Sequence, residues 1–196
     1  MDLCVFQGTF NPIHNAHLRV AKYILDNSEI DCITFIPAYI PPHKSYDIKL
    51  AEHRYNMLNL ALSDNQNFKI SDIEYKRKGI SYTYLTICEL KNLYNINNKI
   101  KFIIGTDAFR HIETWYEIDK LKELVEFIVF IRDSNFRRNE FNYLKDLGYN
   151  FRLMPLKFED ISSSDIRKLI LENKSISGLV PKEVEEYIIK HELYKN

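Results

Sequence analysis

Cysteine is scarce in this 196-residue chain: only Cys4, Cys32 and Cys88 are present. They are odd in number and far apart, and no C-x-x-C pair occurs. Neither a zinc ribbon nor a disulfide framework is therefore indicated. Each sits among apolar neighbours, as a small buried hydrophobe in a reducing compartment would. A surplus of charge is missing as well, because 27 Lys and Arg balance 27 Asp and Glu. That disfavours a protein whose main task is gripping nucleic acid, where a basic excess is expected. No apolar run approaches the ~20 residues needed to cross a bilayer. Met1-Asp2-Leu3 lacks the basic start of a secretory signal. There is no linker rich in Pro, Gly and Ser, no internal repeat and no low-complexity tract. The expectation is one domain over residues 1–196, cytoplasmic, with no membrane or nucleic-acid partner.

What is present is a 45% hydrophobic fraction, ample for a core, distributed in short runs. Leu3–Phe6, Cys32–Ile36, Phe68–Ile73, Ile100–Ile104 and Phe127–Ile131 read as strands, with Phe151–Met154 a weaker one. Several are apolar without alternation, the mark of strands buried on both faces. Helical spacing lies between them: Leu18, Ala21 and Leu25; then Tyr55, Leu58 and Leu62; then Leu85, Cys88 and Leu93; then Leu144 and Leu147. Strands alternating with helices predict an α/β fold, a Rossmann-like doubly wound parallel sheet, with ligands at the C-terminal ends of the strands. After Met154 only helical patterns follow, Ser163–Leu171 and a second starting at Pro181. The C-terminal part, about residues 160–196, is therefore expected to be helical.

Five stretches carry candidate chemistry. "GTFNPIHNAH", Gly8–His17, falls between the first strand and the first helix and holds no acidic residue. Gly8 permits close backbone approach, and Asn15 is expected to cap the helix. The free N–H groups of that first turn make an anion site flanked by His14 and His17. The alternatives are a metal pair lacking a third ligand nearby, or two surface histidines. "ISSSDIRKL", Ile161–Leu169, is a capping-box start, Ser162 with Asp165, followed by Arg167, which is able to grip two phosphate oxygens or simply to lie at the surface. "IIGTDAF", Ile103–Phe109, puts Asp107 just past a strand end, as a ribose or metal partner or as an N-cap. Trp115, the lone tryptophan, is a candidate stacking platform or a core residue. "PPHK", Pro41–Lys44, is an extended loop presenting a lysine.

Taken in order, these stretches resemble the bacterial nicotinate-nucleotide adenylyltransferase family of the H-x-G-H nucleotidyltransferases. "EYKRKGISYTYLTI" (Glu74–Ile87), "FIIGTDAF" with "TWYEIDKL", "ISSSDIR" and the tail "LVPKEVEEYIIKHELY" extend the likeness over essentially the whole chain. The resemblance implies that the 5′-phosphate of nicotinate mononucleotide attacks the α-phosphate of ATP, giving deamido-NAD and pyrophosphate. The transfer would be direct, which suits a sequence with no evident nucleophile–base pair. Mg²⁺ would be bound through the ATP phosphates rather than by side chains. It further implies that His14, His17 and Arg167 are catalytic. Gly8, Thr9, Phe10, Gly105, Asp107, Arg132 and Ser163 would join them in binding ATP. Lys44, Thr83, Trp115 and Tyr116 would bind nicotinate mononucleotide, the carboxylate resting on backbone N–H groups near Thr83 and Tyr116. A homodimer is one assembly this allows.

The chain departs from the family pattern at several places. Gln7 replaces the first glycine of a pair, Asn11 an aspartate, Ala16 the glycine between the histidines and Ser164 a threonine, and Asp133-Ser134 follow Arg132 where Pro-Gly is usual. Three rivals are weighed against it. Phosphopantetheine adenylyltransferases are shorter and usually carry Thr for the first histidine. A nucleotide-binding regulator would not need His14, His17, Asp107 and Arg167 intact. A fragment related to class I aminoacyl-tRNA synthetases would be expected to bind RNA in a salt-sensitive way.

Overall fold

The computed structural model describes residues 2–42, 48–131, 136–137, 139–156 and 161–195. Its elements run β1 (Cys4–Gly8), α1 (Asn15–Asp26), β2 (Ile33–Pro37), α2 (Ile48–Leu62), β3 (Phe68–Ile70), α3 (Ile73–Arg77), α4 (Thr83–Tyr94), β4 (Ile100–Gly105), α5 (Thr106–Phe109), a 3₁₀ turn at Ile112–Thr114, α6 (Ile118–Leu124), β5 (Val125–Ile131), α7 (Asn142–Asp146), β6 (Phe151–Pro155), α8 (Ser163–Leu171) and α9 (Lys182–Lys190). All six strands are parallel, in the order β3-β2-β1-β4-β5-β6. This is the doubly wound α/β sheet, and its order reverses between β1 and β4.

The unbroken apolar strands follow from burial on both faces. In β1, Cys4 and Phe6 enter one core with Val20 and Ile24 of α1, Met57 and Leu58 of α2, Ile166 of α8, and Val184 and Ile188 of α9. Val5 enters the opposite core with Ile87 and Leu90 of α4 and Leu121 of α6. β5 divides the same way, with Ile128 and Phe130 on the first face and Phe127 and Val129 on the second. A period of two thus sorts the buried apolar residues of these strands into one core or the other. The C-terminal helices are part of the first core. No helix of the described residues is long and apolar enough to cross a membrane.

Four expectations are corrected. β3 ends at Ile70; Asp72 caps a helix, so Ile73 opens α3 instead of closing a strand. In α4 the buried residues are Thr86, Ile87 and Leu90, while Leu85 and Leu93 are exposed and Cys88 is only half-buried. The buried stripe contains a threonine, which apolar spacing alone overlooks. Leu144 of α7 is buried, but Leu147 lies just past the helix and is exposed. The first residue of α1 is Asn15, so the cap falls on His14.

Candidate active site

β1 and β4 end in Gly8 and Gly105, and the crevice of the sheet lies beyond these two residues. A side chain at either position would crowd its neighbours. A Cβ on Gly105 would lie 2.5 Å from Asp107 Oδ1 and 3.0 Å from Phe130 Cζ. One on Gly8 would lie 3.0 Å from the ring of Phe10, a buried residue of the loop joining β1 to α1 (the signature loop), which meets His17 edge-on at 5.1 Å.

Asn15 is helical because the tail of the chain holds it there. Its N–H donates to Leu179 O at 2.9 Å and its side-chain amide to Gly178 O at 2.8 Å. His14 is extended and only 2% exposed. Its own N–H donates to His17 Nδ1 at 3.3 Å, and the two imidazole rings lie 3.7 Å apart, tilted by 31°. No acidic residue occupies the first turn of α1, so its positive end faces the crevice unopposed.

Two pockets open here. Gly8, Phe10, His14, His17, Gly105 and Asp107 line the first, together with Ala16. Gly8, Thr9, Ala38, Thr83 and Trp115 line the second, together with Pro41, Pro42 and Ser81. Gln7 and Gly8 line both, so the pockets meet at the end of β1. Thr83 begins α4, whose first turn is also free of acidic residues and whose first N–H groups have no partner within the helix. Trp115 is half-buried and rests edge-on against Phe102 at 6.0 Å.

The remaining expected site residues fall in three groups. Ser163 and Arg167 stand on the signature loop rather than in either pocket lining: Ser163 Oγ donates to Pro12 O at 2.9 Å and Arg167 Nη1 to Asn11 O at 2.8 Å. The side chain of Tyr116 is exposed and stacks on Tyr82 at 4.5 Å. Lys44 and Arg132 lie outside the described residues, as does the loop segment 43–47.

Sequence reasoning missed three residues. Arg54 is 3% exposed and donates to the carbonyls of Thr9, Ala38 and Tyr39. Burial pulls its pKa down. Its signal was a charge on the apolar stripe formed by Ala51, Leu58 and Leu62. Glu74 is 1% exposed, and burial pushes its carboxyl pKa up against the hydrogen bonds of Ser81 and Thr86 and the charge of Arg77. It opens the segment Glu74–Ile87, yet nothing in that segment's spacing tells of burial. Tyr194 donates to Asn11 Oδ1 at 2.6 Å from the far end of the chain.

The cytidylyltransferase-like family model matches residues 5–169. A probable nicotinate-nucleotide adenylyltransferase of Caldicellulosiruptor saccharolyticus is 41% identical, over 100% of both chains. One of Staphylococcus epidermidis is 39% identical, over 98% of this chain and 96% of its own. Among solved structures, Plasmodium falciparum nicotinic acid mononucleotide adenylyltransferase complexed with NaAD superposes with a TM-score of 0.81 at 25% identity, over 98% of this chain and 97% of the other. Sequence over the full length and fold thus agree with the two-pocket crevice, and the chain belongs to the nicotinate-nucleotide adenylyltransferase family.

Proposed function

We propose that this enzyme makes deamido-NAD by a single in-line displacement, with ATP phosphates in the His14–His17 pocket and nicotinate mononucleotide in the Trp115 pocket. The observation that carries this is the meeting of the two pockets at Gln7 and Gly8. Substrates filling them would bring the acceptor's 5′-phosphate and the α-phosphorus of ATP together over the end of β1. An acceptor phosphate oxygen forms the new bond to the α-phosphorus as the bond to the bridging oxygen breaks, and pyrophosphate leaves with that electron pair. No side chain need act as nucleophile. Catalysis is positioning plus stabilisation of the charge that builds on the phosphate oxygens.

The donor set fits this task. Imidazole N–H groups, the Ala16 N–H in the first turn of α1 and the Arg167 guanidinium are all suited to phosphate oxygens. They are not metal ligands as a set, so Mg²⁺ belongs to the ATP phosphates, where it neutralises charge. Asp107, at the head of α5, is assigned to the ribose hydroxyls, and Ser163 to the β- and γ-phosphates alongside Arg167. Lys44 and Arg132 are assigned to phosphate on the basis of the family pattern. In the second pocket Trp115 supplies a flat face for the pyridine ring. The N-terminus of α4 at Thr83, with the backbone at Tyr116, supplies N–H donors that favour a carboxylate over a neutral amide. The three cysteines carry free thiols, in keeping with a cytoplasmic enzyme. Light scattering decides between a monomer and the homodimer that the resemblance allows.

The stereochemical course tests the mechanism. With ATP chirally labelled by sulfur at the α-phosphorus, one in-line displacement inverts configuration in the dinucleotide product. Retention would require a covalent enzyme intermediate and would overturn direct transfer.

A further inference from the structure

Two buried charges that line neither pocket hold the same short piece of backbone from opposite sides. This piece is the chain leaving β2, Ala38–Ile40. Arg54 Nη1 donates to Ala38 O, and its Nη2 donates to Tyr39 O at 3.0 Å. On the other side, Tyr39 N–H is shared between Glu74 Oε2 at 3.3 Å and Ser81 Oγ at 2.8 Å, and Ile40 N–H donates to Ser81 Oγ at 3.2 Å. Ser81 N–H returns a bond to Ile40 O at 2.9 Å. The peptide groups 38–39 and 39–40 therefore point their carbonyls at a cation and their N–H groups at an anion and its hydroxyl partner. Each dipole is aligned in the field between the two charges, and burial keeps that field strong.

The same two side chains reach the other walls of the second pocket. Glu74 Oε1 accepts from Gln7 Nε2 and from Thr86 Oγ1, both at 2.6 Å, tying the end of β1 and the helix begun by Thr83 to one carboxylate. Arg54 Nη1 also donates to Thr9 O at 2.9 Å. Gln7, Thr9, Ala38, Ser81 and Thr83 all line the second pocket, whereas of these only Gln7 lines the first. A buried carboxylate and a buried guanidinium are costly to desolvate; here each is matched by several hydrogen bonds, and Glu74 also faces the Arg77 guanidinium at 3.7 Å.

We propose that Glu74 and Arg54 are positioning residues that set the shape of the acceptor pocket and reach the ATP phosphate pocket only through Gln7, which lines both. The identity of the acceptor rests on the function proposed above; the backbone clamp does not. The test compares wild type with Glu74→Gln and Ser81→Ala, the latter removing one neutral hydroxyl so that folding is preserved. Glu74→Gln keeps the volume but replaces one of the two acceptor oxygens by an N–H, set against either the Tyr39 N–H or the Gln7 amide. The acceptor KM is expected to rise ~10-fold or more in Glu74→Gln, the scale of one lost hydrogen bond to a charged group, and by less in Ser81→Ala, while the KM for ATP stays within about twofold. Hydrogen exchange on the ligand-free proteins is read in parallel. Amides of Tyr39 and Ile40 should exchange faster in both variants, and those of the first turn of α1 at the wild-type rate. Equal loss for both substrates, an unchanged acceptor KM, or unchanged exchange at Tyr39 and Ile40 would overturn the proposal. Should wild type fail to use nicotinate mononucleotide, the function proposed above falls and the exchange result alone judges the clamp.

Discussion

His17 shows how one residue is prepared for its task. Its Nδ1 accepts the N–H of His14 at 3.3 Å, so in the neutral ring the proton resides on Nε2. The ring is therefore a donor to phosphate by construction of the helix cap. His17→Ala should lower kcat by ~10²-fold, as loss of one charge-stabilising donor does elsewhere, with little change in the acceptor KM. His17→Gln, which restores an N–H donor, should recover part of the rate; steady-state kinetics of the two variants checks both. Gly105 gives a second prediction at this scale. A methyl group there meets Asp107 Oδ1 and the Phe130 ring, and overpacking of this kind costs about 1–3 kcal/mol. Gly105→Ala should lower the melting temperature and, by displacing Asp107, raise the KM for ATP. Both readouts unchanged would mean that the β4 end tolerates a side chain. The histidines and Gly105 were legible in the sequence because turn chemistry and strand ends are local. Arg54 and Glu74 were not, since burial of a charge depends on what three other elements bring to it.

Among elements, the C-terminal tail shapes the signature loop. Tyr194 holds the Asn11 side chain, Ser163 and Arg167 hold the carbonyls of Pro12 and Asn11, and the 178–179 backbone holds Asn15. Side chains and backbone more than 150 residues away along the chain thus fix where α1 begins. This is why the cap falls on His14 rather than on Asn15, whose own propensity favours capping. Tyr194→Phe removes a single half-buried hydrogen bond and should cost about 0.5–1.5 kcal/mol in urea unfolding, with kcat/KM falling for ATP more than for the acceptor. An equal fall for both would mean that the tail serves stability alone. The capping box of α8 is a contrasting case. Ser162 and Asp165 satisfy each other across three residues, with Asp165 N–H donating to Ser162 Oγ at 3.1 Å. That motif needed no distant partner, and it was readable in the sequence.

For the molecule as a whole, a parallel sheet covered on both faces follows from apolar runs without alternation, which are plain in the sequence, whereas the strand order β3-β2-β1-β4-β5-β6 is known from the structure. α4 was misphased because its buried threonine is satisfied by Glu74 and by Arg77, whose Nη2 donates to Thr86 Oγ1 at 2.9 Å. The same burial sets an alkaline limit on stability. Burial pushes the Tyr75 hydroxyl up to about 12 and the Cys4 thiol up to about 12, and raises Tyr194 as well. Each pKa is higher in the folded state, so the folded protein binds more protons than the unfolded chain once pH exceeds the unfolded values. The stabilisation is complete below those values and is lost as pH rises through the folded ones, at up to about 1.4 kcal/mol per pH unit per group. Urea unfolding should weaken steadily from about pH 9 upward, the unfolded thiol ionising first and the phenols following. Tyr75→Phe should flatten the part of this decline above about pH 10; a slope equal to wild type would remove Tyr75 from the account.

Two adjoining pockets, one for ATP and one for an acceptor bearing a carboxylate, make a prediction about substrate choice. Pyrophosphate release from MgATP tests it most directly, with nicotinate mononucleotide, nicotinamide mononucleotide and phosphopantetheine supplied one at a time. Fast release with the nicotinate compound and slow release with the other two is the predicted result. Equal rates with the nicotinamide compound would contradict the carboxylate site at α4, and no release with the nicotinate compound would contradict the assignment of the second pocket altogether.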